Sequence, residues 1–221
     1  MMTSVLIPAF NAAKTLGTLL ESIPQHIGDG CIVVVDDGSS DDTSGIADRA
    51  GAVVIRHDRN RGKGAALRSG FKYVLASTRS DSVLTMDADL QHDPAEISTF
   101  LAAWGSGETD IILGCRRFGG GMPIHRILSN AITSSLVSAR TGVRIRDSQT
   151  GYRLIAREVL SSIEVEADGY EAETEFLIKA ARRGFRISSV PIATIYGAEP
   201  SHMTHWKTTK RFLQVLLREY Q

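Results

Sequence analysis

Two clusters of oxygen-bearing side chains carry most of the chemistry this sequence can offer. Asp87-Ala88-Asp89-Leu90-Gln91-His92 sets two carboxylates and an amide at alternating positions. In an extended segment, side chains two apart point to one side. Asp87, Asp89 and Gln91 would then form a hard oxygen site suited to Mg2+ or Mn2+. Such an ion would bridge substrate phosphate oxygens and neutralise charge on a departing diphosphate. The plainer alternative is that one aspartate caps the helix starting at Pro94 and the others are solvated. Upstream, Asp36-Asp37-Gly38-Ser39-Ser40-Asp41-Asp42-Thr43 offers carboxylates to a ribose hydroxyl or a base. The same stretch also reads as a turn with Asp42 or Thr43 capping the next helix.

A third segment, Asn60-Arg61-Gly62-Lys63-Gly64, opens a helix. Its glycines permit close backbone approach, and a helix N-terminus bearing Arg61 and Lys63 attracts phosphate. The Gly-x-x-x-x-Gly-Lys-[Ser/Thr] loop is absent. The Gly-x-Gly lacks a third glycine and follows the third strand, which argues against a dinucleotide fingerprint here.

The elements that must hold these residues alternate over the first 115 positions. Strands are expected at 4–7, 31–35, 52–55, 82–86 and 110–114. Helices are expected at 11–22 with Asn11 as N-cap, at 43–50 and 63–77, and from Pro94. The run Cys31-Ile32-Val33-Val34-Val35 is continuous and β-branched, as in a strand buried on both faces. Alternation of this kind predicts an α/β fold, a mostly parallel sheet with helices on both faces. Ligands of such sheets bind beyond the carboxyl ends of the strands, which is where both acidic clusters fall. Downstream, Ile124, Ile127, Leu128, Ala131, Ile132, Leu136 and Ala139 mark an amphipathic helix. A strand or turn is expected near 152–156, a helix at 171–183, strands at 186–190 and 192–196, and a helix at 204–220. With no repeat or linker, 1–221 reads as one domain.

Composition narrows the class. The 221 residues are 43% hydrophobic and 23% charged, which is ordinary globular usage. Two cysteines fit a reducing compartment. No signal peptide is evident, and no apolar run reaches the ~18 residues of a membrane span. That points to a cytoplasmic protein, or one peripheral at the inner face of a membrane. The 25 basic and 25 acidic residues cancel, which gives no case for nucleic acid. Locally they do not cancel. Residues 29–58 hold seven aspartates against Arg49 and Arg56, and residues 114–157 hold eight arginines against Asp147.

Taken in order, Val5-Leu6-Ile7-Pro8-Ala9-Phe10-Asn11, Val33-Val34-Val35-Asp36-Asp37-Gly38-Ser39, Asn60-Arg61-Gly62-Lys63-Gly64 and Met86-Asp87-Ala88-Asp89-Leu90-Gln91-His92 resemble the family 2 glycosyltransferases of GT-A (Rossmann-like) fold. Within that family the chain is most similar to the dolichol-phosphate mannosyltransferase and polyprenyl-phosphate glucosyltransferase group. The resemblance implies a nucleotide-sugar half at 1–115 and an acceptor half at 116–221. Pro8, Ala9 and Asn11 would line the nucleotide pocket, Asp36 or Asp37 would touch base or ribose, and Lys63 would sit close by. Asp87, Asp89 and Gln91 would hold Mg2+ or Mn2+ on the donor diphosphate, with Asp89 central to catalysis. Asp147-Ser148-Gln149-Thr150-Gly151-Tyr152 resembles a segment whose aspartate is a candidate base. Because a phosphate monoester is mostly ionised at neutral pH, the alternative role of Asp147 is to orient an arginine or a sugar hydroxyl.

Arginine binds phosphate bidentately, so Arg117, Arg126 and Arg140 are the expected contacts to the acceptor phosphate. His202 lies where relatives close over the diphosphate, and Glu173 and Glu175 are further acidic candidates. The C-terminal helix, with Trp206, Leu213 and Leu217 beside basic residues, suits either a membrane interface or packing on the domain. The expected reaction is inverting transfer of a hexose from GDP-mannose or UDP-glucose to a polyprenyl phosphate, with peripheral membrane contact or a membrane subunit as a further partner. A soluble saccharide or small-molecule acceptor is the first alternative, and a sugar nucleotidyltransferase the second.

Overall fold

Seven short strands build the sheet of the computed structural model, which describes residues 1–116, 124–193 and 205–220. They are β1 (Thr3–Ala9), β2 (Ile32–Asp36), β3 (Val53–Arg56), β4 (Ser82–Thr85), β5 (Ile111–Arg116), β6 (Arg153–Ala156) and β7 (Ile187–Ile192). Their spatial order is β3-β2-β1-β4-β6-β5-β7. All neighbours are parallel except β6, which runs antiparallel to both β4 and β5. The chain steps outward from β1 to β3 and then returns to β4 on the other side of β1. That reversal opens a crevice at the carboxyl ends of β1 and β4.

The helices are α1 (Leu16–Ser22), α2 (Pro24–Ile27), α3 (Thr43–Arg49), α4 (Lys63–Ser77), α5 (Ile97–Gly105, after a 3-10 turn at Pro94–Glu96), α6 (Ile124–Thr141), α7 (Arg157–Ser162), α8 (Ala172–Arg182) and α9 (His205–Leu217). Strand residues alternate between two cores. Leu6, Val33 and Val35 pack with α4, α7 and α8. Val5, Ile7 and Val34 pack with Leu16, Leu19 and Phe100 of α1 and α5.

Several sequence expectations need correction. Asn11 is no N-cap: α1 begins at Leu16 and Asn11 has φ 51°. Its side-chain oxygen accepts from the Ser40 amide at 2.9 Å, and its own amide donates to Ser39 Oγ at 2.8 Å. Asparagine tolerates the left-handed region, so it latches the loop after β1 to the loop after β2. The two strands expected at 186–196 are one strand, β7, with 194–196 outside the described residues. Pro191 is accommodated because β7 is a sheet edge, bonded among the described residues only to β5. Helix α7 was not anticipated. Its Arg157 donates to the Val74, Leu75, Thr78 and Ser80 carbonyls, which satisfies the end of α4. Helix α6 turns Leu128 and Leu136 outward, a direction that its amphipathic spacing left open.

Candidate active site

Lys63 is the hub of the crevice. Its ammonium lies 2.6 Å from Asp87 Oδ1 and 3.2 Å from Glu173 Oε1, and 5.8 Å from the centre of the Tyr170 ring. Burial alone would lower the lysine, but the two carboxylates carry it above its ordinary value. Burial would likewise raise Asp87, yet Lys63 pulls it down to about 2. The start of α4 is pinned from two sides. Asp37 accepts from the Arg61 and Gly62 amides at 2.9 and 2.7 Å, and the Asp168 carbonyl accepts from the Gly64 and Ala65 amides. A side chain at Gly62 or Gly64 would strike the 167–168 backbone, which explains the glycines. These four amides are spent on the protein itself and are not free to cradle a phosphate. What the segment delivers is the lysine.

The Asp87–Gln91 stretch is not the extended segment expected from its spacing. Strand β4 ends at Thr85, the chain turns, and Leu90 has φ 62°. A leucine in the left-handed region is strained and marks a constrained turn. Asp89 Oδ1 accepts from the Gln91 amide at 3.0 Å. Among the described residues no cationic nitrogen comes within ion-pairing distance of Asp89. Burial, and then the charge of Asp87, raise its pKa. The two aspartates are therefore unlike, one neutralised by lysine and one uncompensated. His92 is buried and stacked on Tyr152 at 4.8 Å, and its Nδ1 accepts from the Asp87 amide at 3.3 Å. Burial lowers it to about 4, so it stays neutral and holds the turn.

Gly151 closes the other wall. A Cβ there would lie 2.5 Å from Asp87 Oδ2. Gly151→Ala should push the Asp87 carboxylate off Lys63, and misplacement by about 1 Å costs on the order of 100-fold in rate. The expected result is a fall of that size in kcat/KM with a cooperative thermal transition retained. Steady-state kinetics beside a melting curve checks it.

A second cluster surrounds Asp147, which is fully buried. Arg116 reaches it through Nε at 2.7 Å, Nη2 at 2.9 Å and its backbone amide at 3.4 Å. Asn130 Nδ2 donates at 3.1 Å and the Gln149 amide at 3.2 Å. A carboxylate has about four lone-pair sites. Five donors saturate it. Burial alone would raise Asp147, but Arg116 holds it below its ordinary value.

Other expected site residues are placed as follows. Pro8 and Ala9 end β1 beside Val35 and Asp36, at the crevice edge. Asp36 is fully buried, accepting from the Ser39 amide at 2.8 Å and from Ser44 Oγ. Asp37 is buried and also bonded to His57 Nδ1 at 2.6 Å. Both carboxylates hold their own loops. Arg140 lies at the far end of α6, donating to the Leu216 and Arg218 carbonyls at 3.0 and 3.1 Å. Arg153 gives its guanidinium to the Ser148, Thr150 and Glu173 carbonyls. Three of the eight arginines counted in the sequence thus serve backbone oxygens, and the bare count overstated their availability. Arg117, His202 and the Arg126 side chain lie outside the described residues. Glu175 is buried against the Glu166 and Ala167 amides and Lys179, whereas Glu173 joins the hub. Both glutamates stand in the first turn of α8, where acidic residues are common, and only the tertiary fold brings Glu173 to Lys63.

Comparison with known proteins fits this geometry. Residues 4–163 match the family described as Glycosyl transferase family 2. Polyprenol monophosphomannose synthase of Mycolicibacterium smegmatis is 33% identical over 204 residues, covering 86% of this chain and 76% of the relative. UDP-N-acetylglucosamine--dolichyl-phosphate N-acetylglucosaminyltransferase of Methanococcus voltae is 29% identical, covering 87% and 85%. The crystal structure of Mycobacterium tuberculosis glucosyl-3-phosphoglycerate synthase, in complex with Mn2+, UDP-glucose and phosphoglyceric acid, superposes with a TM-score of 0.77 at 25% identity, covering 98% of this chain and 78% of that one. The chain belongs to glycosyl transferase family 2. It is a glycosyltransferase of GT-A fold that acts with a nucleotide sugar.

Proposed function

We propose that the chain transfers a hexose from GDP-mannose or UDP-glucose to a polyprenyl phosphate, with Mg2+ or Mn2+ at the crevice. Asp89 supports the metal assignment: it is a half-buried carboxylate, uncompensated and crowded by the charge of Asp87. Among the described residues no three His, Cys, Asp or Glu side chains gather into a cage. Two carboxylates suit an ion whose remaining ligands are phosphate oxygens and water. Asp89 and Asp87 would hold it, and it would supply Lewis-acid stabilisation to the departing diphosphate. Lys63 keeps Asp87 ionised and fixed in place.

The observation that carries the acceptor assignment is the saturation of Asp147. With five donors on it and a lowered pKa, it is a poor base. A hydroxyl acceptor needs a base, whereas a phosphate monoester, with its second pKa near ~6, arrives ionised. Asp147 and Asn130 instead fix the orientation of Arg116, a cation suited to that phosphate. A phosphate oxygen would attack the anomeric carbon, the bond to the diphosphate would break, and the nucleoside diphosphate would leave.

The second reading, a soluble acceptor, is favoured by the likeness to the synthase crystallised with phosphoglyceric acid. Incubating purified protein with each donor, Mn2+, and either detergent-dispersed polyprenyl phosphate or 3-phosphoglycerate separates the two. Lipid-linked hexose is the expected product. Turnover with the soluble acceptor alone would overturn the assignment.

A further inference from the structure

Helix α6 is inside out. The side it turns to the domain carries one core residue, Val137, and is otherwise largely polar: Asn130 bonds Asp147, Ser134 accepts from the Ser148 amide at 3.0 Å, and Ser138 accepts from the Ile145 amide at 2.9 Å. The side it turns to solvent carries Leu128, Ile132 and Leu136, which are 60%, 51% and 41% exposed at successive i, i+4 positions. A helix whose only task was to cover a core would show the reverse. Next to it, α9 exposes Leu213 and Leu217, the latter 76% exposed, while Val215 and Leu216 are buried. A shallow groove lined by Leu136, Ala139, Leu216 and Leu217 joins the two stripes into one apolar patch.

We infer that this α6–α9 face docks on the surface of an anionic lipid bilayer. No acidic residue occurs anywhere in α6. The rim of the patch holds Arg140 and Arg182 in the groove, with Lys210 and Arg211 exposed on α9, against Glu219. Apolar side chains beside a cationic rim match the acyl boundary and the anionic headgroups. A second copy fits less well, because a two-fold interface would press the cationic rim against itself. No helix among the described residues is long and apolar enough to cross a membrane, so the contact is interfacial. The inference deepens the proposed reaction and rests on that reading for its purpose. The inner side of the same helix bears Asn130, which touches Asp147, so a bilayer on the outer side would lie one helix away from Arg116.

The test is co-sedimentation of the full chain with phosphatidylcholine vesicles, with and without phosphatidylglycerol, lacking both polyprenyl phosphate and sugar nucleotide. Wild type should pellet with the anionic vesicles, and high salt should release part of it. The variant I132E/L136E/L217E changes only exposed side chains, so its melting curve should match wild type. Its partitioning should drop by roughly tenfold or more, as expected when three apolar anchors are lost. Absence of wild-type binding, or equal binding by the triple variant, would overturn the inference. So would a wild-type dimer in size-exclusion chromatography that the substitutions dissociate, with no vesicle binding: the occupant would then be a second copy. Because no substrate is present, the outcome is independent of the acceptor assay, which runs in detergent.

Discussion

Asp89→Asn is expected to cripple transfer while raising the melting temperature of the metal-free protein. The two effects share one cause. Burial and the neighbouring Asp87 raise the Asp89 pKa in the folded state. A carboxyl raised on folding contributes stability that is present below its unfolded value of about 3.9 and lost as pH rises through the folded value. At neutral pH the ionised group is therefore a cost, and an amide of the same shape removes it. In catalysis the charge is what matters. Removing a group that stabilises the leaving diphosphate should lower kcat/KM by on the order of 1000-fold, about 4 kcal/mol. Adding Mn2+ with a nucleoside diphosphate should reverse the order of melting temperatures, because only wild type gains from ligand binding. Scanning calorimetry with and without those ligands reads both signs. If Asp89→Asn is less stable than wild type in chelator, the aspartate has a structural partner this account omits.

The second large effect is Lys63→Met. It leaves Asp87 and Glu173 facing each other without the ammonium that neutralises both. Stripping one member from a buried charge cluster costs about 3–5 kcal/mol. The pH dependence follows from Asp87. Its folded pKa, held down to about 2, contributes stability that is complete above the unfolded value and lost as pH falls toward 2. Urea unfolding should show a large deficit for the variant at neutral pH that narrows at pH 3, below the unfolded Asp87 value of about 3.9, as part of that contribution is lost. An equal deficit at both values would mean that lost packing of the lysine stem, rather than charge, sets the cost.

The sheet was legible because its signals are local. The unbroken β-branched run at 32–35 gave β2, and Lys63–Ser77 was bounded correctly by the glycine before it. The Asp87–Gln91 segment was also legible as a place, but not as a shape. A left-handed leucine is invisible to periodicity, and it undid the argument from alternating positions. Glu173 was under-read for a different reason. Its partner is Lys63, 110 positions away, and an acidic first helical turn is reason enough for a glutamate. Arginine counting failed because backbone carbonyls at the ends of α4 and α9 and in the 148–150 turn consume guanidinium groups without leaving a trace in sequence. The apolar stripe of α6 was found, but its direction was not. Amphipathicity says that two faces differ, and only the polar contacts to 145–148 decide which one turns inward.

Paramagnetic resonance of Mn2+ tests the central claim most directly. Titrating the chain into Mn2+ with GDP or UDP should quench the free-ion signal, and Asp89→Asn should leave that signal at its protein-free level. Equal quenching by wild type and Asp89→Asn, or none by wild type with either nucleotide, would contradict a divalent ion held at the end of β4.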